Sequence, residues 1–197
     1  MAVSAELFQD IAKNYGKVAS WAFWVKPGSK PKSNIGDMSI LDIDKNPGLL
    51  DSLRTDIVMV ALNFAREVET TESFLNFHDR NPHGQDYKLR YAFQDTEFEG
   101  AYMTDIIKDF PMLRAADVLK HLRQHPGEAE KQVSAFRAEL KFIGARNPRI
   151  LALGRDAYKI LSDHLEPSEY SQLVPLTHYS HQISKERYRA ECLERLR

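Results

Sequence analysis

Cysteine is nearly absent from this chain: Cys192 stands alone among 197 residues. A single thiol excludes an internal disulfide and any zinc or iron–sulfur site built from cysteines only. No apolar run approaches the roughly 20 residues that a membrane span needs. The opening residues Met1–Glu6 lack the basic start and apolar core of a secretory signal, so cytoplasmic residence is the expectation. An excess of one charge is also lacking. The formal net charge is −1, so any nucleic-acid binding must rest on a local patch. The glycine signatures of P-loop and dinucleotide-binding enzymes are missing, as is the Gly-x-Ser-x-Gly elbow of serine hydrolases.

Hydrophobic residues make up 43% and charged residues 28% of the chain, the composition of an ordinary globular protein. Its length is that of one domain, residues 1–197, with a core of its own. The most uniformly apolar stretch is Asp56–Arg66, β-branched at Ile57, Val58 and Val60 and interrupted by Asn63. Such a run reads as a strand buried on both faces, hence a parallel sheet covered by helices. Further strands are expected at Gly100–Ile107, Arg149–Leu153 and Leu173–Leu176. The last belongs at an edge, because Pro175 lacks a ladder donor. The aromatic segment Ala19–Val25 is expected to pack on the sheet in extended form.

Helices are expected over Ala5–Asn14 with Ser4 as cap, from Pro47 to about Leu53, and over Asp86–Gln94 and Ala115–Leu122. Glu128–Ile143 carries apolar residues at steps of three and four, another helix follows Gly154, and a last one runs from Ser184 to Leu196. Strands alternating with helices give an α/β fold: a three-layer α/β/α sandwich with a mostly parallel four-stranded central sheet.

Ligands of open parallel sheets bind outside the carboxyl ends of the strands. Three such ends carry polar residues: Asn63, Thr104-Asp105, and Thr177-His178-Tyr179-Ser180-His181. Gly154, after the third strand, permits close backbone approach and opens a helix N-terminus. Between Ile11 and Gly36 there are five lysines and no acid. Lys26, Lys30 and Lys32 lie in a segment with the Pro, Gly and Ser of a mobile loop. That loop is either a phosphate-binding element or a solvated linker. His78, His83 and Asp79 share a polar region, but their spacing fits no metal-ligand signature.

Taken in order, an apolar strand ending in Asn63, the tract Tyr102–Lys108 (YMTDIIK), the tract Arg149–Leu161 (RILALGRDAYKIL) and the tract Leu176–Ser184 (LTHYSHQIS) resemble the uracil-DNA glycosylase superfamily. The resemblance spans roughly Asp56 to Ser184. It implies that fold, metal-free hydrolysis with no cofactor, and DNA as partner. A monomer is taken as the default state, and the lack of a long apolar run leads to an expectation of no membrane association. The family's Asn-containing first motif, G-x-N-P-G, matches Ala61-Leu62-Asn63-Phe64-Ala65 at Asn63, with Phe64-Ala65 in place of Pro-Gly. The second motif, His-Pro-Ser, matches His178-Tyr179-Ser180 at its first and third positions. By resemblance, Asn63 orients the hydrolytic water and His178 stabilises charge on the leaving base. Ser180 contacts a phosphate, and Gln182 lies near the wedge that enters the duplex. Phe64 and Phe77 are candidate base-binding aromatics, Phe77 being equally well read as a core residue.

Asp105 stands where some branches have Asn. A carboxylate only accepts hydrogen bonds, so as a base reader it favours a guanine-like edge over uracil. Its other reading is a structural strand-end residue. The functional alternative to a base-excising glycosylase is a nucleic-acid or nucleotide-binding protein on the same fold with weak or no catalysis.

Overall fold

A computed structural model of the chain describes residues 3–63, 72–81, 83–110 and 114–197. Phe64 and the expected end of the first long strand beyond Asn63 lie outside the described residues. The architecture is α/β, with a five-stranded, mostly parallel sheet in the order β1-β3-β2-β4-β5. The strands are β1 (Ser20–Trp21), β2 (Arg54–Asn63), β3 (Ala101–Ile107), β4 (Arg149–Leu153) and β5 (Gln172–Leu176). Seven helices are described: α1 (Ala5–Tyr15), α2 (Leu49–Ser52), α3 (Tyr87–Phe93), α4 (Ala115–Gln124), α5 (Glu128–Phe142), α6 (Arg155–His164) and α7 (Lys185–Leu196). None of them is long and apolar enough to cross a membrane.

The side-chain alternation of β2 separates two apolar clusters, one on each face of the sheet. Val58, Val60 and Leu62 pack with Phe8 and Ile11 of α1, Phe136 of α5 and Leu161 of α6. Ile57, Met59 and Ala61 pack with Leu89 and Phe93 of α3 and with Tyr188 and Cys192 of α7. Each large apolar side chain so buried stabilises the fold by about 1.5–3 kcal/mol. Helices therefore cover both faces, which is why β2 reads as an unbroken apolar run.

Two expectations are corrected. The sheet has five strands rather than four, because the aromatic segment joins it through its backbone. Ser20 and Trp21 pair antiparallel with Met103 and Tyr102. The Ala22 amide donates to Ala101 O, and the Gly100 amide donates to Ala22 O. Gly100 makes this corner possible: its φ is +78°, and a Cβ there would lie 1.9 Å from the Ser52 carbonyl oxygen. The helix expected from Pro47 begins at Leu49 instead. Asn46 is turned back, its side-chain amide donating to the carbonyls of Ser39 and Asp42, so the chain is held in a turn where a first helical residue was expected. Pro175 does lie on an edge strand. Ser4 and Ser184 cap α1 and α7 through their hydroxyl oxygens.

Candidate functional site

The order of the parallel strands decides where a cleft forms. From β2 the chain passes to β3 on one side, then crosses back over β2 to β4, and continues outward to β5. The direction of winding thus reverses between β2 and β4, and the carboxyl ends on either side of that reversal border a crevice. A cavity of about 280 Å³ lies there, lined by Asn63 at the end of β2, Leu153 at the end of β4 and Gly154 after it, Arg155 of α6, and His178 and Tyr179 after β5. That volume sits at the low end of the range for small-molecule pockets and suits one ring system rather than a dinucleotide.

His178 is held in one tautomer. The Ser180 backbone amide donates to Nδ1 at 3.2 Å, and the Ser180 hydroxyl lies 2.8 Å from the same nitrogen. An amide only donates, so Nδ1 is the acceptor and Nε2 carries the proton. The ring stacks on Tyr179, with centroids 4.3 Å apart and planes 25° from parallel. Desolvation pushes the imidazole down to about 4, so it is neutral at physiological pH. Behind it, the Gly154 amide donates to Leu176 O at 2.9 Å. Its φ is +109°, and a Cβ there would stand 3.4 Å from His178 Cβ. A side chain at Gly154 would be strained and pressed against His178. The ten-residue helix α6 opens from Gly154 with no side-chain cap on its first amides, so its positive end adjoins the cavity.

Asn63 and His178 thus share one cavity, whereas Thr104 and Asp105 do not reach it. The register explains the difference. Asp105 pairs with Ala61, two residues inside the end of β2, and Asn63 pairs with Ile107. Asp105 is 2% exposed and accepts from Asn76 Nδ2 at 2.7 Å. Burial pushes its carboxyl up to about 7, although the Asn76 hydrogen bond and the nearby Lys108 oppose the shift. Thr104 is on the other face, where its hydroxyl and that of Tyr102 donate to Glu139 Oε1, both at 2.8 Å. Lys108 Nζ lies 2.7 Å from Glu139 Oε2.

Phe77 is 3% exposed and sits in the core, not on the cavity wall. Its ring meets Tyr179 edge-on at 6.4 Å, so it backs the aromatic that does line the cavity. Ser180 and Gln182 are exposed on the same loop, and Gln182 Nε2 donates to Ser180 O at 3.3 Å.

The basic segment is held more firmly than its composition implies. Arg90 of α3 donates to the carbonyls of Val25, Pro31 and Ser33 at 2.7–2.8 Å, pinning the loop to the helix. Lys26 and Lys30 are exposed, and Lys32 lies 5.1 Å from the Tyr87 ring centre. His78 is buried, its ring nitrogens facing Ser20 Oγ and the carbonyls of Asn76 and Phe23, each at 3.1 Å. Among the described residues no group of three or more His, Cys, Asp or Glu is placed to hold a metal ion. Cys192 is buried in α7, and burial pushes its thiol up to about 12, so it is no nucleophile.

Sequence reasoning treated Tyr179 as a departure from a motif rather than as a cavity wall, and it passed over Arg155. It also passed over Tyr87 and Tyr91, whose spacing of four residues on α3 was the available signal. Comparison with protein-family models, with curated proteins and with solved structures finds no match in any of the three.

Proposed function

We propose that this chain binds DNA and hydrolyses the N-glycosidic bond of a damaged or modified base flipped into the Asn63–His178 cavity. The observation that carries this reading is the pairing of an amide and a neutral, tautomer-fixed imidazole across one cavity sized for a single base. In this reaction the bond from C1′ to the base nitrogen breaks, and its electron pair leaves with the base. The water oxygen forms the new bond to C1′, and a water proton ends on the departed base. The transition state is oxocarbenium-like at the sugar and anionic at the base. A neutral His178 donates from Nε2 to the developing anion without proton transfer, which needs no imidazolium. Asn63 orients the water by its amide oxygen. An amide is a weak base, but a sugar cation needs little help from one. The base is extruded from the stack before reaction, as such chemistry requires.

The uncapped amides at the start of α6 favour an anion at this cavity, either the leaving base or a phosphate beside it. Asp105 is bonded to Asn76 and lies outside the cavity, so in this reading it serves packing, and Tyr179 supplies the aromatic surface for the base. A second reading, binding without catalysis, is favoured by Phe64-Ala65 replacing the Pro-Gly of the resembled motif. Release of free base from oligonucleotides carrying uracil, deaminated purines or alkylated purines tests the proposal. Release of one class supports excision. Silence across the whole panel with DNA affinity intact supports the binder.

A further inference from the structure

A second cleft, of about 230 Å³, lies between the basic loop, α3 and the start of α7. Lys30, Tyr87, Arg90, Tyr91 and Lys185 line it, and no acid does. Two cations of α3 are almost wholly buried, Arg90, which lines the cleft, at 2% exposure and Lys88 at 3%. Arg90 is satisfied by three carbonyls, and Lys88 Nζ donates to His181 O at 2.7 Å. Among the described residues neither has an ion-pair partner. Carbonyl dipoles solvate a cation without cancelling its charge, so the surface above keeps a positive potential that favours an anion. Of the acids near this surface, Glu186 is paired with Lys185, Glu99 lies near Lys26, and Asp86 precedes Tyr87 at the start of α3.

The aromatic component is equally specific. Tyr87 and Tyr91 are one turn apart on the same face of α3. Each ring carries a lysine ammonium, Lys32 at 5.1 Å from Tyr87 and Lys185 at 4.1 Å from Tyr91. Tyr91 is 37% exposed, one of two large hydrophobic side chains exposed to that degree among the described residues. A lysine beside a ring offers a contact for each half of a nucleotide, phosphate and base. Alternating cations and aromatic platforms are the usual means of holding a single strand without reading its sequence. The Lys88–His181 bond fastens α3 to the loop carrying His178, and the His181 amide donates to His178 O. The cleft and the cavity are therefore tied to one loop.

We infer that the Lys30–Tyr91–Lys185 cleft binds a nucleotide of single-stranded DNA, with its phosphate on the two lysines and its base against Tyr91. That the strand is the one whose base enters the Asn63–His178 cavity rests on the proposed function; binding in the cleft does not. The test uses the full chain and fluorescein-labelled single-stranded oligonucleotides, read by anisotropy over a series of salt concentrations. Tyr91→Ala should weaken binding about tenfold, and Tyr91→Trp should restore it. Lys30→Ala and Lys185→Ala should each flatten the log–log salt dependence by about 0.7. Dextran sulfate, a polyanion without bases, should bind Tyr91→Ala as it binds the unmodified protein. The inference is overturned if the unmodified protein fails to bind the strand or if Tyr91→Ala leaves its affinity unchanged. It is also overturned if Tyr91→Trp is as weak as Tyr91→Ala while both melt normally. Base release measured in parallel keeps the two ideas apart. Release dependent on His178 with strand binding indifferent to Tyr91 sinks the cleft alone, and strand binding dependent on Tyr91 without any release sinks the glycosylase alone.

Discussion

Asn63 and Asp105 stand at the carboxyl ends of neighbouring parallel strands, yet they meet opposite surroundings. Asn63 lines a cavity beside His178. Asp105, paired with Ala61 two positions deeper, is covered and bonded to Asn76. Two features separate them: the register of β3 against β2, and the reversal of strand order, which falls between β2 and β4 and not beside β3. A polar residue at a strand end is thus available for chemistry only where the connections diverge. Elsewhere it becomes part of a buried network, and the polar groups around β3 should carry stability while those around β2 and β5 carry ligand chemistry.

The largest effect expected from that contrast is at Glu139, which is fully buried and receives Tyr102, Thr104 and Lys108. Glu139→Ala should lower the unfolding free energy by about 3–5 kcal/mol in urea titrations, and a loss below about 1 kcal/mol would break the contrast. Asp105 gives the next effect through pH. Its folded-state value, about 7, lies above the ordinary 3.8. Its contribution is therefore complete below the ordinary value and is lost as pH rises through about 7. Between roughly pH 5 and pH 8 the native protein should lose about 2–3 kcal/mol from this group. Asp105→Asn, which keeps an acceptor for Asn76, should remove that slope, and an unaltered slope would assign it to another group.

Smaller shifts are expected at the cavity. His178→Ala and Asn63→Ala should change stability by no more than about 1 kcal/mol. The His178 ring protons, followed by NMR, should titrate near 4 rather than at the ordinary 6.5. Ser180→Ala, by removing the hydroxyl beside Nδ1, should raise that midpoint by less than about one unit. A His178 that titrates near its ordinary value would mean a solvated ring rather than one enclosed in the cavity.

Much of this arrangement was legible beforehand where a local pattern had a local cause. The β2 run is apolar because both faces are covered, Ser4 and Ser184 precede helices they cap, and Pro175 confines its strand to an edge. Asn63 and His178 were legible because a strand end at a crossover is marked by where an apolar run stops. The offset of Asp105 was not legible, since register is a relation between two strands and a shift of two residues leaves the alternation of each unchanged. For the same reason the Ala19–Val25 segment was expected to lie extended on the sheet but not to join it as β1, because two residues pair through backbone atoms that leave little trace in side-chain pattern. The pinning of the basic loop by Arg90 depends on contacts at least 57 positions apart in sequence. Its Pro, Gly and Ser describe what the loop would do if left alone.

The most direct test of the central claim is base release by the unmodified protein, Asn63→Ala and His178→Ala on the same lesion-containing oligonucleotide, with DNA affinity measured alongside. The account predicts release by the unmodified protein, about a hundredfold or greater loss in His178→Ala, a marked loss in Asn63→Ala, and little change in affinity for either. Release that persists undiminished in both variants, or no release by the unmodified protein on any lesion, would contradict it.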